Sequence, residues 1–169
     1  NGVGGAIILD VSTTPLAPVE LGRYNDFYMH DIFVRGDTLW GGAINDGFFT
    51  VADISDPMNC VTIATHITPS TFSHNVWLSD DGNTLYTTDE VSYAYVASYD
   101  VSNIANIVEL DRVQSSPGQD VIPHNTFVVG DYLVTSYYRD GVVITDATNP
   151  SNLIQVGNYD TSPLSGDGF

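Results

Sequence analysis

Lysine is absent from this 169-residue chain, and its four cationic side chains, Arg23, Arg35, Arg112 and Arg139, stand against 21 acidic residues. A formal charge of −17 repels phosphate and attracts cations, so no nucleic acid is expected as a partner. Cys60 is the single cysteine. No internal disulfide can form, the redox compartment is not written in cysteine usage, and Cys60 itself reads as a buried apolar filler. No apolar stretch approaches the roughly 18 residues a membrane helix requires, so no membrane insertion of this segment is expected. The chain also lacks an initiating methionine and a basic leader. Its opening, Asn1-Gly-Val-Gly-Gly, reads as an internal start, in a processed or excised part of a longer polypeptide.

Several motifs are missing as well. No Gly-x-Ser-x-Gly elbow argues for a serine hydrolase, no loop follows the EF-hand pattern, and Gly2-Val-Gly-Gly5 is too short for a dinucleotide fingerprint and opens a strand motif. Eighteen of the acids are aspartate. They read as a solvated acidic surface in preference to dedicated calcium loops, and paired-carboxylate glycosidase chemistry carries no signal among so many.

What is present is a repeat. With 43% hydrophobic and 11% aromatic residues the chain has the material for a core. An apolar run, an aspartate, a turn and a second apolar run recur at 6–22, 50–65, 96–111 and 142–158. The anchoring aspartates, Asp10, Asp53, Asp100 and Asp146, are 43, 47 and 46 residues apart. Asp before Ser or Thr satisfies turn backbone groups, so these four are read as structural. Between the copies lie three hairpin signatures, starting at His30, His74 and His124, each with a Gly-Asp or Asp-Gly-Asn turn between two strand-forming runs. Alternating the two elements gives strand pairs A–B after each histidine and C–D around each aspartate, four strands per period. The expected fold is all-β, a β-propeller with about four blades' worth of four-stranded repeats, near 1–29, 30–73, 74–123 and 124–169. Four C–D pairs but three A–B pairs are present, and a fourth A strand is expected to begin where the chain stops. The segment is therefore expected to belong to a larger ring, completed by further blades of the same polypeptide or by another chain.

The sequence resembles the LVIVD-repeat propellers, in particular the choice-of-anchor B family of bacterial secreted and surface proteins. The resemblance rests on Val51-Ala-Asp-Ile-Ser-Asp-Pro57, Tyr99-Asp-Val-Ser102, Ile144-Thr-Asp-Ala-Thr-Asn-Pro150, the His-Asn pairs at His74 and His124, and Gly157-Asn-Tyr-Asp-Thr-Ser-Pro163. It implies a secreted or cell-surface location and brings no established reaction with it.

Because His30, His74 and His124 open equivalent A strands, the propeller geometry is expected to bring them to one rim. The B strand returns beside the histidine that began its hairpin. In the second repeat it ends in Thr87-Thr-Asp-Glu90, which puts Glu90 beside His74 and Asp89 on the opposite face. Metal ligands His30, His74, Glu90 and His124 would suit a divalent ion, Zn²⁺ or Fe²⁺ in preference to Ca²⁺. The alternative reading makes each histidine a structural hydrogen-bonding residue of its blade, with Asp31, Asn75 and Asn125 as strand-start caps. His66 is read as a loop residue outside the repeat, and Tyr137, Tyr138 and Arg139 as rim residues. Two functions stand: an extracellular binding or adhesion module for an unidentified ligand, with a metal at the channel rim, or a metal-dependent hydrolase or oxygenase using the same site.

Overall fold

The structure is a computed structural model that describes residues 4–161. The fourth A strand expected near Phe169 lies outside the described residues, as do Asn1, Gly2 and Pro163. Among the described residues fourteen strands form one two-stranded and three four-stranded sheets, every pairing antiparallel. The lone hairpin is β1 (Ala6–Asp10) with β2 (Val19–Tyr24). The first full blade is β3 (Asp31–Arg35), β4 (Thr38–Ala43), β5 (Phe48–Asp53) and β6 (Val61–Ile67). The second is β7 (Ser73–Leu78), β8 (Thr84–Asp89), β9 (Val96–Asp100) and β10 (Val108–Val113), with a short 3-10 helix at Ile104–Asn106. The third is β11 (Pro123–Val129), β12 (Tyr132–Tyr137), β13 (Gly141–Asp146) and β14 (Ile154–Tyr159). Within each blade the strands lie side by side in chain order. The first strands, β3, β7 and β11, are the inner ones, β7 packing against both others.

Turn chemistry sets the hairpins. Gly36-Asp37 and Gly130-Asp131 are two-residue turns between paired Arg35 and Thr38 and paired Val129 and Tyr132. Their glycines hold φ of +57° and +59°, the positive value that the first central residue of a type II′ turn demands. At each C–D turn the repeated aspartate accepts from the backbone N–H two residues on: Ser12 to Asp10 at 2.8 Å, Ser55 to Asp53 at 2.8 Å, Ser102 to Asp100 at 2.9 Å and Thr148 to Asp146 at 2.9 Å. All four are Asx turns. The hydroxyl of the same Ser or Thr, the larger influence at Asp10, Asp100 and Asp146, and these backbone bonds, the larger at Asp53, hold all four carboxyls below the usual carboxylate range. A depressed folded-state pKa contributes stability that is present above the unfolded value, near 4, and is lost as pH falls through the folded one. Acid unfolding followed by circular dichroism is therefore expected to begin below about pH 4. A quadruple Asp→Asn variant should show a flatter acid limb; an unchanged limb would contradict the assignment.

The core lies between blades. One cluster joins Trp40, Phe49 and Val51 of the first blade to Val76, Leu85 and Tyr99 of the second, and another joins Tyr86 and Val96 to Leu133, Tyr137 and Val143 of the third. A third, around Tyr24, Met29 and Leu39, seats the lone hairpin on the first blade. The middle blade is covered on both faces, so β8 is buried at every position, whereas β13 of the end blade alternates between buried and half-buried. A sheet packed on both faces loses the alternation that marks one-sided burial. Cys60 is half-buried at the edge of the hairpin's cluster instead of filling it, its thiol donating to the Pro57 carbonyl at 3.4 Å.

Candidate metal centre

His30 immediately precedes β3, while His74 and His124 sit second in β7 and β11. All three are at the end where the inner strands begin. Their rings stack in file, centroids 4.1 Å apart from His30 to His74 and 4.4 Å from His74 to His124. This close approach needs Gly42: a Cβ there would come within 2.7 Å of the His74 carbonyl oxygen. The Gly42 carbonyl in turn accepts from the His30 N–H at 2.8 Å. Register shifts lie between Ser73 and Asn75 and between Pro123 and Thr126. Bulges re-aim side chains, and these two bracket His74 and His124.

Glu90 follows β8, its N–H donating to Phe72 at 3.2 Å. Its two oxygens have different company. Oε2 is 3.4 Å from His74 Nε2, and Oε1 is 3.6 Å from His124 Nε2 while also accepting from the Tyr138 hydroxyl. Ligand atoms of His30, His74 and Glu90 all lie within 4.8 Å of one another. His30 is exposed, His74 is 2% exposed, and the side chains of Glu90 and His124 are 19% and 33% exposed. The file is thus buried at its middle member, His74, and most open at His30.

His74 is the most constrained member. Its Nδ1 is 3.0 Å from the His124 carbonyl oxygen, which also accepts from the Thr88 hydroxyl at 2.5 Å. A carbonyl only accepts, so Nδ1 carries the proton and Nε2 presents a lone pair in the neutral ring. Nε2 is buried with no hydrogen-bond partner among the described residues. Burial pushes the His74 pKa down to about 4, the Glu90 charge opposing this and His30 and His124 adding to it. At neutral pH the contact with Glu90 is therefore a lone pair facing a carboxylate, an arrangement that calls for a cation between them.

Asp31 caps the start of its own strand, its Oδ1 accepting from the Ile32 N–H at 2.8 Å, whereas the side chains of Asn75 and Asn125 reach across to other blades. Asp31 Oδ2 accepts from Asn75 Nδ2 at 2.7 Å and from Asn125 Nδ2 at 3.1 Å, and Asn75 Oδ1 accepts from the Thr126 N–H at 3.0 Å. The three blades are tied at one carboxylate oxygen. His66 is a residue of β6, half-buried against the rings of Phe49 and Tyr99, and not in a loop as its sequence context suggests. Tyr137 belongs to the core between the second and third blades, where burial pushes its hydroxyl pKa up. Tyr138 alone of that pair reaches the site. Asp89 faces away from the centre and bonds the crossover to β7.

A family model for the LVIVD repeat matches residues 124–161. Among solved structures, a Lactobacillus plantarum protein superposes with a TM-score of 0.79 at 14% identity, covering 94% of this chain and 52% of that one. A β-propeller domain from Myceliophteria thermophila gives 0.66 at 13%, covering 94% and 55%. The chain folds as a repeat β-propeller. The periplasmic gluconolactonase of Pseudomonas aeruginosa shares this fold, with a TM-score of 0.70 at 14% identity over 91% of this propeller and 50% of that chain. The propeller segment thus spans about half the length of these structures. No curated protein sequence matches it. Among the described residues no helix is long and apolar enough to cross a membrane.

Proposed function

We propose that this propeller segment is an extracellular or cell-surface binding module with a divalent transition-metal centre, Zn²⁺ or Fe²⁺, held by His30, His74 and Glu90, with His124 as the fourth member on the second oxygen of Glu90. The observation that carries the metal is His74: its Nδ1–H is anchored on a backbone carbonyl while its buried, unprotonated Nε2 faces a carboxylate. Metal-bound histidines are typically fixed this way through the other ring nitrogen. Tetrahedral ligands about 2.0–2.1 Å from zinc are about 3.3 Å apart, and the His74–Glu90 separation is 3.4 Å. Calcium prefers six to eight oxygens, which imidazoles do not supply. The surface location is supported by the resemblance to the choice-of-anchor B proteins.

The lone hairpin exposes Ile7, Leu9, Val19 and Leu21, and unpaired edges recruit further strands. Further blades, from the same polypeptide or another chain, complete the ring in this reading. The exposed His30 end favours a second reading, since two histidines and one carboxylate with open positions also serve metal-dependent hydrolases and oxygenases.

Elemental analysis of protein purified without chelators should find about one Zn or Fe per chain, and chelation should lower the Tm by roughly 5–10 °C. A metal-free protein with an unchanged Tm would remove the metal. Light scattering on the same material reads the ring: self-association or aggregation agrees with open edges, and a dispersed monomer with cooperative unfolding contradicts them. Metal-dependent turnover of an ester or an oxygenation substrate, lost in His74→Ala, would decide for the enzyme.

A further inference from the structure

Beside the centre, where Tyr138 to Asp140 turn from β12 into β13, lies a cavity of about 290 Å³ lined by His124, Ser136, Tyr137, Tyr138, Gly141 and Val142. Its walls are mostly apolar. An apolar cavity of about 150 Å³ already accommodates benzene, so this one has space for a single ring with a substituent. The turn that forms its wall is fixed in place. Gly141 holds φ of +68°, and a Cβ there would come within 2.3 Å of the Tyr159 carbonyl oxygen, so β14 clamps it closely. Asp140 accepts from the Ser116 hydroxyl at 2.7 Å, tying the same turn to the segment before β11.

The polar groups of the cavity stand at its metal-centre side. His124 and Tyr138 both face Glu90 Oε1. Arg139, exposed in the same turn, is one of only four cations in the chain. Glu90 repels an anion unless its charge is compensated, and a divalent ion on His30, His74 and Glu90 reverses the local sign. We propose that the cavity binds a small carboxylate with an apolar body, aryl or branched aliphatic, its head at the His124 and Tyr138 edge of the metal centre and its body against Tyr137 and Val142. This rests on the metal reading above, because the head needs the ion's charge.

Benzoate is the probe, with acetate as the control that lacks an apolar body. Metal content is measured first, and binding is then followed by calorimetry and saturation-transfer NMR on the metal-loaded chain. Benzoate is expected to bind at least tenfold more tightly than acetate and to lose at least tenfold in Val142→Trp and in Ser136→Trp, with metal content unchanged. Ser136 is exposed, so its variant fills the space from outside should Val142→Trp fail to fold. A chain carrying stoichiometric metal that ignores benzoate, or binds it equally well in both variants, overturns the cavity proposal and leaves the metal standing. A chain that holds no metal overturns the metal reading. Benzoate binding by such a chain, still sensitive to the two tryptophans, would keep the cavity as the site but overturn the ion's part in holding the head, and no binding would remove both.

Discussion

Asp89→Ala is expected to cost about 3–5 kcal/mol of folding stability, the largest effect of any single substitution away from the histidines. Asp89 is fully buried at the end of β8. Its Oδ1 accepts from the Thr68 hydroxyl at 2.6 Å and the Phe72 N–H at 3.3 Å, and its Oδ2 from the Ser70 N–H at 2.7 Å. These donors belong to the crossover between β6 of the first blade and β7 of the second, where Thr71 is held at a positive φ of 54°. Truncation leaves the Ser70 and Phe72 N–H groups without an acceptor and the Thr68 hydroxyl with the longer bond to the Gly47 carbonyl at 3.4 Å, each donor left without a partner costing about 1–3 kcal/mol when buried. Asp89→Asn should cost less, since its one remaining oxygen still serves Thr68 and Phe72, while the new amide faces the Ser70 N–H. Burial raises the Asp89 pKa, against the pull of those donors. The folded chain therefore holds this proton more readily than the unfolded one, and the carboxyl's contribution declines as pH rises through the folded value. Urea unfolding of the two variants checks the ranking; a midpoint for Asp89→Ala within error of wild type would refute this role.

At the metal centre, His74→Ala is expected to weaken metal binding about a thousandfold, the share of one ligand in a site worth about 10–16 kcal/mol. Tyr138→Phe is the graded comparison. It removes only the hydroxyl on Glu90 Oε1, and losing a hydrogen bond to a ligand costs about 10–100-fold in metal affinity. Competition with a chromophoric chelator reads both values. If the two variants bound metal as tightly as wild type, the histidines would be structural groups of their blades. If Tyr138→Phe lost more than His74→Ala, the roles assigned around Glu90 would be reversed.

The sequence made the architecture legible because its repeats are backbone chemistry. An aspartate two residues before a Ser or Thr N–H, and a Gly-Asp pair between strand-forming runs, dictate the same turn wherever they occur. The histidine file was legible for the same reason: equivalent strands begin at equivalent heights. Cross-blade contacts were not. Position along a strand says nothing about the partner on the next blade, so Asn75 and Asn125 read as caps although both donate to Asp31. The bulges at His74 and His124 leave no residue signature. Tyr137 and Tyr138 are adjacent and alike in type, and only packing sends one into the core and the other to Glu90. His66 sits among threonines and beside a proline-containing segment, which suggested a loop; pairing with Phe49 makes it strand instead.

The three histidines occupy matching places, but the residues facing them do not. Counting two positions past Gly42, Thr88 and Ser136, which stand opposite Asp31, Asn75 and Asn125, gives Ile44, Glu90 and Tyr138. Duplicating one ancestral hairpin supplies three imidazoles at a stroke, already stacked. Diversification then requires only one changed side chain per copy: an apolar residue in the first, an acid in the second, a phenol in the third. The copies are not interchangeable, however, because Ile44 is buried: an acid moved there from Glu90 would travel one blade along the file and would need a cation beside it to offset the burial of its charge.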